Sequence, residues 1–207
     1  MIGHEDGLIT IDLAEADDIV RLLPPRPRDA HKGTFGKLLV VAGCATYTGA
    51  AYLAATAAYR VGAGLVTLAL PRSIHPILAA KAHEPTFLPL ADAEPGHLVE
   101  AALPALLDAL PGYDALLVGC GLGAHPATRT LVRRLLCDQT RLDGKRILVD
   151  ADGLNALAED PDWPRRLPPH CVLTPHPGEM ARLTRLTPEA VALDRIGLAM
   201  ARASEWR

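Results

Sequence analysis

Apolar residues in this chain cluster into short continuous runs, and between the runs lie longer stretches with helical spacing. Leu38-Leu39-Val40-Val41-Ala42 is the first run, Leu65 to Leu70 the second, Ala115-Leu116-Leu117-Val118 the third and Arg146 to Val149 the fourth. Val172-Leu173 forms the core of one more. Runs of this length that do not alternate with polar residues predict strands buried on both faces, as in a parallel sheet. The Ala-rich segment Gly49 to Arg60 reads as a helix, stopped by Gly62 and Gly64. Helices are also predicted over Ile74–His83, Leu98–Leu110, Pro126–Leu136, Gly178–Arg185 and Pro188–Trp206. Strand, helix and next strand form a βαβ unit with a right-handed crossover. The expected architecture is α/β, a mainly parallel sheet covered on both faces. In such sheets ligands bind outside the C-terminal ends of the strands, so motifs at those ends carry the chemistry.

Before the first run lies the proline-rich segment Pro24-Pro25-Arg26-Pro27, which favours extended structure. We read residues 1–30 as an arm packing on one domain over residues 31–207. That length, with 49% hydrophobic residues, suffices for one good-sized core. A net charge of −3 and 4% aromatic residues argue against nucleic-acid binding, which draws on basic patches and stacking platforms. No apolar run reaches membrane-spanning length, and the first residues lack a basic segment followed by an apolar one. A soluble, cytoplasmic protein is expected. Cys44, Cys120, Cys137 and Cys171 are widely spaced without C-x-x-C, the pattern of reduced, mostly buried thiols. His75, His83, His97, His125 and His170 lack metal-ligand spacing and read as surface residues, and Trp163 and Trp206 as packing residues.

Five segments carry candidate chemistry. Gly43-Cys44-Ala45-Thr46-Tyr47-Thr48-Gly49 follows the first strand and leads into a helix N-terminus with free N–H groups. It is not a Walker A loop, because Ala50-Ala51 stand where Lys-Ser/Thr is required. A tight strand-to-helix turn would explain it equally well. Gly119-Cys120-Gly121-Leu122-Gly123 is a loose G-x-G loop that a turn alone would also explain. Asp150-Ala151-Asp152-Gly153-Leu154-Asn155 ends a strand with two carboxylates and an amide one helical turn on. Such a group can hold a hydroxyl, a water or Mg2+, which is more than a helix cap needs. Thr174-Pro175-His176-Pro177-Gly178-Glu179 holds a histidine rigidly at a helix start. His31-Lys32-Gly33-Thr34-Phe35-Gly36-Lys37 precedes the first strand, and its Lys32 could reach phosphate or simply be a surface charge.

Taken in order, HKGTFGK, VVAGCATYTGAAYLAATAAYRVGAGLVTLALP, VGCGLG, VDADGLNAL and TPHPGEMARL resemble the NAD(P)H-hydrate dehydratase family. These are the C-terminal-type domains of bifunctional nicotinamide-nucleotide repair proteins and are related to ribokinase. The resemblance covers the chain from about Pro24 onward. It implies a ribokinase-like three-layer sandwich and a metabolite-repair lyase. Such enzymes use ADP or ATP to phosphorylate the hydroxyl of hydrated NADH or NADPH, after which loss of phosphate restores the ring double bond. It further implies that Ala50 and Gly121 or Gly123 line the hydrated-nucleotide site, with His176 touching the same substrate. Asp150, Asp152 and Asn155 would lie near the transferred phosphoryl group, with Asp152 toward Mg2+. Lys32, with Gly33 and Thr34, would lie near the nucleotide phosphates. Family members tend to form homotetramers.

The chain departs from the family pattern at its end. Members continue to a Lys-Gly strand and a Gly-Thr-Gly-Asp motif whose Asp is the proposed base, and no G-x-G-D occurs in these 207 residues. The sheet is therefore expected to be incomplete at the C-terminus, with an exposed strand edge and a tendency to self-associate. Two other functions fit the same motifs. One is a ribokinase-like kinase of another small molecule. The other is a non-catalytic nicotinamide-nucleotide binder or half of a split protein.

Overall fold

A computed structural model describes residues 4–5, 8–9, 15–137, 140–169 and 171–206, and it divides the chain into two compact units, Met1–His31 and Lys32–Arg207. The first unit holds a pair of antiparallel two-residue strands, β1 (His4–Glu5) and β2 (Leu8–Ile9), and helix α1 (Ala16–Leu22). His170 lies outside the described residues.

The second unit is built on a six-stranded sheet. Its strands are β3 (Lys37–Val41), β4 (Leu65–Pro71), β5 (Thr86–Leu90), β8 (Ala115–Val118), β9 (Arg146–Val149) and β10 (Cys171–Leu173). They lie in the order β10-β9-β8-β3-β4-β5, and every pair is parallel. Between β5 and β8 a small antiparallel arm, β6 (Asp92–Ala93) and β7 (His97–Leu98), leaves the sheet.

Side-chain alternation sorts the strand residues into two cores. In β3, Leu39 and Val41 enter one core, while Val40 and the following Ala42 enter the other. Val40 and Ala42 pack with Ala51, Ala55 and Ala58 of α2 (Thr48–Arg60) and Leu78 of α3 (His75–Lys81). The small alanines let α2 lie close to the sheet. Leu39 and Val41 meet a thicker layer on the opposite face. It consists of α4 (Leu103–Ala109), α5 (Pro126–Cys137), α6 (Asp152–Leu157), α7 (Trp163–Arg166) and Leu183 of α8 (Pro177–Thr184). Leu106, Leu131 and Leu135 are fully buried there, and each such side chain stabilises the fold by about 1.5–3 kcal/mol. Trp163 packs edge-on against Trp206, their ring centroids 4.7 Å apart, as expected of packing residues. Two helices follow α8: α9 (Pro188–Leu193) and α10 (Arg195–Trp206). Among the described residues edge strand β10 pairs only with β9, and its Val172, on the α2 side of the sheet, is 54% exposed. No helix among the described residues is long and apolar enough to cross a membrane.

The expected parallel α/β sandwich is the observed one, with three local differences. Strand β5 has no counterpart in the sequence reading. The helix expected over Leu98–Leu110 starts only at Leu103, because His97 and Leu98 pair in the arm and a 3-10 turn covers Glu100–Ala102. The helix expected over Pro188–Trp206 is two helices that break at Asp194. Its φ of −146° leaves the helical region, and its carboxylate accepts the Gly197 N–H at 2.8 Å.

Candidate active site

Strand register decides where the motifs meet. Val41 pairs with Val118, Val118 with Val149 and Val149 with Leu173. The residues that follow (Ala42, Gly119, Asp150 and Thr174) therefore form a row at one end of four adjacent strands. β3 and β8 are neighbours although β4 and β5 lie between them in sequence, so strand order reverses there. Ligands of open parallel sheets bind at such a reversal. The loops after β3 and β8 are bound together, since Gly119 N–H donates to Val41 O at 3.1 Å and Gly43 N–H to Cys120 O at 3.0 Å.

Two glycines make this junction possible. At Gly119 (φ +131°) a Cβ would lie 1.8 Å from the Asp150 carbonyl oxygen, so only glycine lets the ends of β8 and β9 meet. At Gly121 (φ +67°) a Cβ would lie 2.7 Å from that of Ala50 and 2.8 Å from that of Tyr47. Ala50, in the first turn of α2, and Gly121 thus face each other in direct contact across the strand reversal.

The two carboxylates have separate partners. Asp150 accepts the Thr174 hydroxyl at 2.7 Å on one oxygen and the Cys120 thiol at 3.6 Å on the other. Asp152 accepts the Gly123 N–H at 2.8 Å and the Asn155 amide at 3.3 Å. Asn155 in turn accepts from Arg182 at 2.9 Å. Between the acids, Ala151 sits at φ 49° and ψ −118°, a conformation that L-residues avoid. Backbone strain of this kind concentrates at functional sites; here it aims two carboxylates, two residues apart, at different loops.

His176 caps α8. Its Nδ1 accepts the Gly178 N–H at 3.0 Å, so the proton of the neutral ring sits on Nε2, 3.1 Å from the buried Glu179 carboxylate. The Glu179 carboxylate also accepts the His176 N–H, closing the capping box. The imidazole is exposed beside Thr174 and bonds neither Asp150 nor Asp152. Lys32, Gly33 and Thr34 are not brought to this cluster. They form an exposed 3-10 turn before β3, where Lys32 lies against Gly64 just ahead of β4. That is the N-terminal end of the sheet, the length of β3 away, about 16 Å at the usual rise per residue.

Cys120, Thr174 and Arg182 complete the cluster, and sequence reasoning assigned none of them a role. All three lie inside motifs read from the sequence, but their partners lie 24 to 30 residues away, so local spacing does not give their individual roles. The histidines need one correction. His97 is 8% exposed, buried against His125, whose ring stacks on it with centroids 3.4 Å apart. Burial first, then the neighbouring His125, hold His97 below the ordinary imidazole range, against the opposing pull of Asp92.

Burial, followed by the Asp150 charge, pushes the Cys120 thiol up to about 11 from 9.0. With the folded value above the unfolded one, the contribution to stability is complete below pH 9 and is lost as pH rises toward 11. The thiolate is the reactive form. Iodoacetamide at pH 8 is therefore expected to modify Cys120 far more slowly than it modifies glutathione, with a rate still rising above pH 10. Peptide mass spectrometry across a pH series checks this, and a plateau near pH 9 would contradict it. Cys44, Cys120, Cys137 and Cys171 form no disulfide with one another, and among the described residues no three His, Cys, Asp or Glu side chains are arranged to hold a metal ion.

Known proteins resemble this chain in sequence and in fold. The family described as NAD(P)H-hydrate dehydratase matches residues 38–205. A bifunctional NAD(P)H-hydrate repair enzyme of Moorella thermoacetica is 45% identical over 185 residues, covering 89% of this chain and 34% of that protein. The ADP/ATP-dependent NAD(P)H-hydrate dehydratase of Bacillus subtilis, crystallised with ATP/Mg2+, superposes with a TM-score of 0.71. It is 28% identical, and the match covers 92% of this chain and 62% of that one. A ribokinase-like superfamily protein of Enterococcus faecalis shares the fold at a TM-score of 0.67 and 22% identity, over 87% of this chain and 61% of its own. The chain thus spans about a third of the length of the bifunctional relative and about three-fifths of the solved ones. The family match runs from β3 into α10 and takes in both glycine loops, both carboxylates and His176, and the chain belongs to the NAD(P)H-hydrate dehydratase family.

Proposed function

We propose that this chain binds hydrated NADH or NADPH at the β3/β8 reversal and takes part in its ADP- or ATP-driven dehydration. The observation that carries the reading is the row Ala42, Gly119, Asp150, Thr174, which sets a carboxylate beside the glycine loop that faces Ala50, at the reversal of strand order. In the reaction, the hydroxyl oxygen on the hydrated ring takes a phosphoryl group from the nucleotide and loses its proton. The C–O bond then breaks, phosphate leaves with its electron pair, and loss of a ring proton restores the double bond. Phosphoryl transfer asks a protein mainly for positioning and charge neutralisation. Ala50, Gly121 and Gly123 would contact the dinucleotide, with the exposed edge of His176 beside it. Asp150 and Asn155 would lie nearest the hydroxyl.

The carboxylates fit a sparse Mg2+ site better than a dedicated cage. Mg2+ commonly takes one or two carboxylates and completes its shell with water and substrate phosphates. Asp150, engaged by a hydroxyl and a weak thiol donor, has more capacity left than Asp152, which is held by two N–H donors. The ion would supply charge neutralisation at the transferred phosphoryl group. Cysteines that form no disulfide are in keeping with a reducing, cytoplasmic setting.

The test is a thermal melt and a calorimetric titration with NADPH and with its hydrate, followed by recovery of absorbance at 340 nm from the hydrate plus ADP or ATP. Saturable heat is expected, with a melt raised by about 2.7 kcal/mol of stabilisation at a hundredfold excess over the dissociation constant. Absence of both heat and melting shift for either dinucleotide would remove the reading.

A further inference from the structure

Three elements meet in one chain of hydrogen bonds. Gly123 N–H, on the loop after β8, donates to Asp152 Oδ2 at 2.8 Å. Asp152 Oδ1 accepts Asn155 Nδ2 at 3.3 Å, within the first turn of α6. Asn155 Oδ1 accepts Arg182 Nη1 at 2.9 Å, from α8. The direction of every bond follows from the arginine end. A guanidinium only donates, so the Asn155 oxygen must face it, and the Asn155 NH2 must face Asp152. The opposite amide orientation would set its oxygen against a carboxylate and its NH2 against a guanidinium, two repulsive contacts in place of two bonds. Asp152 and Arg182 require the same amide orientation, and Arg182, bonded to the far side of the amide, holds Asn155 where its NH2 reaches Asp152.

We infer that Arg182 is a positioning residue that acts through Asn155 and Asp152 to hold the Gly123 amide, and with it the glycine loop that faces Ala50. The inference rests on the proposed dinucleotide site for its functional consequence. Arg182 is exposed and touches neither glycine loop, so its removal leaves both cores intact.

The experiment is nitrogen–proton correlation spectroscopy of the labelled chain, together with NADPH titration, on the wild type, Arg182→Met, Arg182→Lys and Asn155→Asp. In Arg182→Met the Gly123 amide proton is expected to move upfield as its bond to Asp152 loosens. The NADPH dissociation constant should rise about threefold to tenfold, the effect of one ordinary hydrogen bond, while the melting temperature stays unchanged. Arg182→Lys, which keeps a cationic donor, should restore most of both signals. Asn155→Asp keeps an acceptor for Arg182 but sets two carboxylates face to face, and should displace the Gly123 resonance with Arg182 still present. A Gly123 resonance unmoved in both Arg182→Met and Asn155→Asp would overturn the inference. If no variant and no wild type binds NADPH while the Gly123 resonance moves as described, the positioning role stands and the dinucleotide reading alone falls.

Discussion

Gly119→Ala is expected to lower the melting temperature by about 10 °C or to prevent folding altogether. The added Cβ would lie 1.8 Å from the Asp150 carbonyl oxygen and 2.8 Å from the Gly153 nitrogen. Both are backbone atoms, so no side chain can swing aside. The φ of +131° is itself costly for an L-residue, by roughly 1–2 kcal/mol, and forced overpacking adds about 1–3 kcal/mol more. For a domain of this size each kcal/mol moves the midpoint by about 2–4 °C. Gly112→Ala is the control, because nothing lies within 4 Å of its Cβ position, and its melt should match the wild type. A Gly119→Ala melt within 2 °C of the wild type would mean that β8 and β9 separate at their ends with little loss, and that the row of site residues is not rigidly fixed.

Asp150→Ala is the second large effect, expected mainly in the reaction. Asp150 joins three strand ends, accepting from Thr174 after β10 and from Cys120 after β8. Its loss leaves the hydroxyl and the thiol without that acceptor, at about 1–3 kcal/mol when the groups are buried; with Thr174 exposed, the low end applies. On the proposed function the rate of NADH recovery from its hydrate should fall about 10²–10³-fold, the range for removing one group that stabilises developing charge. Asp150→Asn keeps the shape and one acceptor and should recover the stability without the rate. The two measurements, melt and absorbance recovery at 340 nm, separate the structural share from the chemical one. Equal rates for Asp150→Asn and the wild type would move the chemistry away from this carboxylate.

Most of the sheet could be read from the sequence because fully buried strands leave continuous apolar runs. β5 escaped because Thr86-Phe87-Leu88-Pro89-Leu90 carries a proline, which argues against a central strand. β5 is an edge strand, where a missing N–H is tolerated. The break at Asp194 escaped because the helical spacing continues across it, and only an aspartate three residues before Gly197 hints at a new start. At the site, residues that sit just after strands could be found from local motifs, and Ala50, Gly121, Gly123, Asp150, Asp152 and Asn155 do come together. Cys120, Thr174 and Arg182 lie in the same motifs, but their individual parts could not be read, since each is defined by a partner on another element. Lys32, Gly33 and Thr34 show the reverse case. Their composition looks like a phosphate loop, yet they precede β3, and in a parallel sheet whatever precedes a strand lies at the opposite end from whatever follows it.

The place of β3 in the sheet also shapes how the chain is made. During synthesis β3, α2, β4, α3 and β5 emerge before β8 and can begin to close the core around Val40, Val66 and Leu68. The other edge of β3 has no partner until Ala115–Val118 leaves the ribosome. Throughout that interval Leu38, Leu39, Val40 and Val41 present an open row of backbone donors and acceptors flanked by apolar side chains, the kind of edge that recruits stray strands. A strand that feeds both cores of the finished molecule is thus the one most in need of shelter in the nascent one.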